Sequence, residues 1–126
     1  MNIIANLFRS LGAISGAFGV IIGAFGAHGL KNKLSVEMLT VYQTGVQYHF
    51  YHTFALLAVG LLALRFQSEL LTFSGWSFLF GILIFSGSLY ALSISGVKIL
   101  GAITPIGGLF FIIGWVLLAV AVIKAG

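Results

Sequence analysis

The chain has 126 residues, 60% of them hydrophobic and only 6% charged, with a net charge of +4 and no cysteine. Soluble domains carry roughly 25% charged residues, so this composition belongs in a bilayer and leaves no room for a soluble domain. Disulfides and thiolate metal sites are excluded, and the scattered positive charges form no nucleic-acid patch.

Residues 10–30, 38–64, 70–97 and 99–123 are uncharged. Each stretch can cross a bilayer, because a helix needs roughly 20 apolar residues to span ~30 Å of hydrocarbon. The expectation is one all-α domain over residues 1–126. It is a four-transmembrane-helix bundle with short loops and spans near 9–30, 42–64, 71–94 and 99–123. The first stretch follows Arg9 as a secretory signal would, but it is too long for a signal core and three more spans follow. It reads as a retained helix. Gly12, Gly16, Gly19, Gly23 and Gly26 fall on a single stripe of that helix, the pattern of a close-packing seam.

His28 and Gly29 close the first span, and Lys31, Asn32 and Lys33 form a polar turn. Ser35 then suits an N-cap, with Glu37 at the positive end of the helix dipole. The second helix is mixed from Met38 to Gln47, which suits an interface or a cover of neighbouring helices, and becomes apolar from Phe50 to Leu64. In the third, Trp76 suits the aromatic belt, while Ser74, Gly81, Ser88 and Ser95 recur every seven residues as a second seam. Two such seams suggest that the first and third helices cross closely. In the fourth, Gly101 and Gly108, and Gly107 and Gly114, are again seven apart, and Pro105 stands in the first turns, where a helix tolerates it.

If all four stretches span, the histidines and tyrosines gather near one leaflet, and the opposite half is nearly all Leu, Ile, Val, Phe and Ala. The candidate ligand-binding set is His28, Gln47, Tyr48, His52, Ser86, Ser88, Tyr90 and Thr104. The positive charges are close to balanced between the two sides; placing both termini in the cytoplasm would put this set at the outer leaflet. His49 and His52 share a helical face at a spacing that can hold a metal, with His28 as a third ligand, and His28 with His52 could ligate haem. The carboxylates that usually complete a hard-metal site are missing. The plainer reading is a network of interhelical hydrogen bonds, since unpaired polar groups in hydrocarbon are costly. No nucleophile-elbow, zincin or phosphate-loop pattern occurs, so no enzyme and no cofactor is expected.

The segments GAFGAHGL (Gly23 to Leu30), QTGVQYHFYHT (Gln43 to Thr53), FSGSLY (Phe85 to Tyr90) and GAITPIGG (Gly101 to Gly108) carry a resemblance. The chain resembles the YgdD and YwdK type of small four-span bacterial inner-membrane proteins, which have mitochondrial relatives in animals. That resemblance covers all four helices. It implies recurrent positions at Gly26, His28, Gly45, Tyr48, His52, Ser86, Gly87, Tyr90, Thr104, Pro105 and Gly108. His49 stands where some relatives carry glutamine, which favours His28 and His52 over His49. The resemblance implies a multi-pass protein of the bacterial inner membrane and supplies no activity. The leading expectation is a non-enzymatic binding or assembly protein that engages a lipid, a small hydrophobic ligand, a second copy or another membrane protein. The alternatives are a small proton-linked transporter or channel and, last, a haem or quinone redox module.

Overall fold

The computed structural model describes residues 2–126, and every regular element among them is helical. Four long helices, α1 (Ile3–His28), α2 (Val36–Leu62), α3 (Glu69–Ser95) and α4 (Thr104–Ala125), make an all-α four-helix bundle with short connections. The first three begin where a small polar side chain accepts a first-turn amide: Asn2 from Ala5 at 3.0 Å, Ser35 from Met38 at 3.1 Å and Ser68 from Leu71 at 3.4 Å. Ser35 therefore caps α2 as its sequence suggests, with Glu37 in the first turn. Gly96 ends α3 at φ 72°, a left-handed conformation that strains other residues, and its amide donates to the Leu92 carbonyl at 2.8 Å. A 3-10 turn, Lys98–Ala102, leads into α4, where Pro105 lies in the first turn and interrupts nothing.

Three segments, Ile3–His28, Glu69–Ser95 and Lys98–Ala125, are long and apolar enough to cross a membrane. α2 is equally long but more polar, and its depth is set by α1. A Cβ on Gly12 would stand 2.8 Å from Leu57 Cδ2, on Gly16 3.5 Å from Thr53, on Gly19 2.8 Å from Phe50 Cζ and on Gly23 3.5 Å from Val46. On Gly26 it would enter the Tyr42 ring. Each step down α1 thus meets a step up α2, so the two helices lie antiparallel in register and at the same depth. The stripe faces α2 rather than α3. A glycine stripe announces close approach without naming the neighbour, and here the large side chains Leu57, Phe50 and Tyr42 of the next helix in the chain fill it.

The seam on α3 likewise faces its sequence neighbour. Ser74 Oγ donates to the Gly114 carbonyl at 2.7 Å, Gly81 lies against Phe111, and Ser88 meets Thr104. From the α4 side, Gly107 lies against the Phe85 backbone and Gly114 against the Phe78 ring. α1 reaches α3 near the terminal end, where Phe8 covers Gly75 and meets Trp76 edge to face, ring centroids 5.5 Å apart. At Ile82–Ser86, α3 widens into a π-helical turn, which inserts one extra residue and re-aims the side chains beyond it.

The buried apolar core, including Ala5, Phe8, Leu56, Val59, Leu71 and Phe78, fills the half of the bundle nearer the chain termini. Because lipid tails are as apolar as these side chains, the gain there comes from dispersion and close fit rather than from water release. The middle and the opposite half are held by side-chain hydrogen bonds between helices, from Ser15 with Thr53 to Ser88 with Thr104. Among the described residues, no buried side-chain nitrogen or oxygen lacks a partner.

Candidate functional site

The polar side chains of α2 point in three directions. His49, 4% exposed, turns toward α1 and α3. Its Nε2 lies 2.9 Å from the Ser15 carbonyl and 3.0 Å from Ser15 Oγ, and its Nδ1 lies 2.9 Å from the Tyr90 hydroxyl. A carbonyl only accepts, so the proton sits on Nε2 and the Tyr90 hydroxyl donates to Nδ1. Ser15 Oγ also meets Thr53 Oγ1 at 2.6 Å. Two turns away, the Tyr42 hydroxyl donates to the Ile22 carbonyl at 2.5 Å. These contacts tie α1, α2 and α3 together on the inside of the bundle.

His52, equally buried, turns toward α4. Its Nδ1 lies 2.7 Å from the Tyr48 carbonyl, and Trp115 Nε1 donates to its Nε2 at 3.0 Å. The carbonyl fixes the proton on Nδ1 and the indole fixes a lone pair on Nε2, so His52 is held as the opposite tautomer to His49, also neutral. The imidazole stacks on Phe111 with centroids 3.5 Å apart and planes 6° apart. Both nitrogens are engaged; a metal or haem iron could take one only by displacing Tyr48 or Trp115.

Outside this pair a groove of about 840 Å³ opens between α2 and α4 toward the side of the bundle that faces lipid. Tyr48, Phe85, Phe111 and Trp115 supply aromatic walls, with Tyr51, Phe54, Leu109 and Ile112 along the open edge. Gly108 and Pro105 form part of the α4 wall, where the missing side chain of Gly108 leaves depth. Tyr48 and Phe85 stand 4.8 Å apart by ring centroids, and Phe78 closes on Trp115 edge to face at 4.9 Å. Few polar groups are on offer: the hydroxyl of Tyr48 and that of Tyr51, which accepts from Gln47 Nε2 at 2.5 Å.

The candidate residues are therefore distributed rather than assembled around one point. Tyr48 and His52 belong to the groove. Tyr90 belongs to the His49 network, beside Ser86, whose Oγ donates to the Gly45 carbonyl at 2.7 Å. Ser88 and Thr104 join α3 to α4 at 2.5 Å. Gln47 and His28 are exposed, His28 at the end of α1 away from the others. His49, ranked below the other histidines in the sequence, is as buried and as fully partnered as His52. Its partner Ser15, and Thr53 bonded to Ser15, carried no signal beyond small size, and Trp115 and Phe111 lie in a stretch that reads as plain hydrophobic. The clue to Trp115 was present: an indole N–H within hydrocarbon needs an acceptor, and imidazole is among the few available.

Fold and site together define a small multi-pass membrane protein, tied by interhelical hydrogen bonds and carrying an aromatic groove between α2 and α4. Residues 22–108 match the family model described as Protein of unknown function (DUF423), and the chain belongs to that family. It is 49% identical over 119 residues to the UPF0382 membrane protein YwdK of Bacillus subtilis, covering 94% of this chain and 97% of that one. A UPF0382 membrane protein of Haemophilus influenzae is 47% identical over 120 residues, covering 95% and 96%. One of Staphylococcus saprophyticus is 46% identical over 118 residues, covering 94% and 98%. No solved structure matches the chain.

Proposed function

We propose that the protein is a non-enzymatic binding protein of the bacterial inner membrane that holds a small hydrophobic molecule, a lipid chain or an apolar ring, in the groove between α2 and α4. The observation that carries this reading is the groove itself: about 840 Å³, walled by Tyr48, Phe85, Phe111 and Trp115. Ligand sites are concave, mostly apolar and aromatic, with a few placed polar groups, and the two tyrosine hydroxyls fit that description. Among the described residues, the engagement of the site serines and histidines in bonds of their own supports a binding role. Ser86 and Ser88 spend their protons on the carbonyls of Gly45 and Phe85, and neither histidine is oriented by a carboxylate. Helical rather than barrel spans, and relatives in bacteria, support the inner membrane. The close glycine contacts of α1 serve in this reading as the rigid backing of α2, which forms one wall of the groove.

The test is native mass spectrometry of the protein purified in mild detergent, with a visible absorption spectrum of the same sample. The wild type should retain a hydrophobic molecule in stoichiometric amount. Gly108→Phe should lose it with unchanged helix content, because the new ring projects into the groove. Equal retention by both proteins, or an empty wild type, would remove the groove as the binding site.

A further inference from the structure

One arc of α2 turns away from the rest of the bundle. Thr40, Gln43, Gln47, Tyr51 and Phe54 are exposed along it, at the three-and-four spacing of one helical face. The pairing of α1 with α2 sets Thr53 opposite Gly16, close to the middle of the Ile3–His28 span. At 1.5 Å per residue, Gln47 lies about 9 Å from that level, inside the ~15 Å half-thickness of the hydrocarbon, and Tyr51 lies deeper still. Lipid at this depth is acyl chain alone and offers no hydrogen bond.

The groups in question are specific. Gln47 Nε2 donates to the Tyr51 hydroxyl, which leaves Gln47 Oε1 free to accept and leaves a second amide N–H and the Tyr51 O–H free to donate. Thr40 and Thr44 differ, because their hydroxyls donate back to the carbonyls of Val36 and Thr40. The arc therefore presents the exposed carboxamide of Gln43 near its outer end and, deeper, the Gln47 carboxamide and the Tyr51 phenol with unused donors and acceptors. Such groups in hydrocarbon call for a protein partner.

We propose that α2 packs against α2 of a second copy of this chain, across a two-fold axis along the membrane normal, with Gln47 and Tyr51 at the crossing. Across such an axis each residue meets its own counterpart. A carboxamide is both donor and acceptor, so the Gln47 side chains of the two copies can pair with each other, and each Tyr51 hydroxyl can reach the carboxamide oxygen of the other copy. That self-complementarity singles out a second copy over an unrelated helix, which would have to bring a matching set, and over a lipid, which has nothing to offer at this depth. Tyr51 and Phe54 also edge the groove, so the second copy would lie beside its open side, whichever ligand the groove holds.

The chain has no cysteine, so a single introduced thiol reports cleanly. Thr40→Cys places one on the arc, and Ile14→Cys, on the exposed face of α1, serves as control. Oxidation in native membranes should give a covalent dimer from Thr40→Cys and little from Ile14→Cys. Gln47→Leu, which adds only apolar surface at an exposed position, should weaken association of the cysteine-free protein about tenfold when fluorescently labelled copies are diluted in vesicles of bacterial lipid. Cross-linking of Thr40→Cys no better than the control, cross-linking to a different protein, or association unchanged by Gln47→Leu would each overturn the proposal.

Discussion

Gly107 and Gly108 are neighbours in the sequence, yet the structure assigns opposite consequences to the same substitution. A Cβ on Gly107 would stand 2.7 Å from the Phe85 Cα and Cβ and closer still to its amide nitrogen. Carbon atoms in contact sit at roughly 3.5–4.0 Å, so α3 and α4 would have to part by most of an ångström. The obstacle is backbone within the π turn and cannot rotate aside. Overpacking of this kind costs ~1–3 kcal/mol, and Gly107→Ala belongs at the upper end because Ser74, Gly81 and Ser88 depend on the same helix separation. At Gly108 the nearest atoms to an added Cβ are Phe85 Cδ2 and Cε2 at 3.8 Å, an ordinary contact. Replacing a helical glycine with alanine there should stabilise by up to ~0.5–1 kcal/mol through reduced freedom of the unfolded chain. Thermal and denaturant unfolding in mild detergent, followed by circular dichroism, reads both. A Gly107→Ala protein as stable as wild type, or a Gly108→Ala protein less stable than Gly107→Ala, would refute the α3–α4 contact described here.

Three further outcomes are expected. Gly19→Leu should lower stability by ~2 kcal/mol or more in the same unfolding assay, since Phe50 Cζ already stands 2.8 Å from where its Cβ would lie; unchanged stability would show that the stripe does not hold α1 to α2. His49→Gln should be nearly neutral while His49→Leu costs ~1–3 kcal/mol, because a carboxamide can still donate to the Ser15 carbonyl and accept from Tyr90, whereas leucine strands both; equal losses would contradict the assigned bonds. Vesicles carrying the protein should show no proton or small-solute flux between about pH 5 and 8, the range in which histidine ordinarily titrates; a flux abolished by His52→Ala with helix content intact would replace binding by proton-linked transport.

Much of the fold was legible in the chain. Charged residues bracket the helices, Ser35 and Glu37 mark the start of α2, and Pro105 sits where a helix tolerates it. The neighbour of each seam was not legible, since Gly19 specifies closeness and only the position of Phe50 specifies with what. Nor was the π turn, which inserts its extra residue within Ile82–Ser86, a run of ordinary membrane residues. The candidate site was legible in its residue types and less so in its grouping. Periodicity placed His49 and His52 on one face, but residues three apart still diverge by about 60° around the helix, and α1 and α4 flank that face, so one ring meets Ser15 and the other Trp115. Gln47 signalled polarity at depth without signalling that it points outward. Trp115 became visible only when the end of α4 beyond Gly114 was brought beside His52.

The register of α1 with α2 bears on how the protein enters its membrane. α2 falls outside the set of segments apolar enough to cross on their own, and its least apolar turns carry Tyr42, His49 and Thr53. All three find partners on α1: the Ile22 carbonyl, the Ser15 carbonyl and the Ser15 hydroxyl. Pairing with α1 takes these three side chains out of contact with lipid, while His52 meets its partner Trp115 only when α4 is in place and Gln47 and Tyr51 stay on the outer arc. The α1–α2 hairpin is the smallest unit in which Tyr42, His49 and Thr53 each have a partner. An α1 without the Ser15 hydroxyl and the glycine stripe would take from α2 both the partner of Thr53 and the close fit that sets its depth.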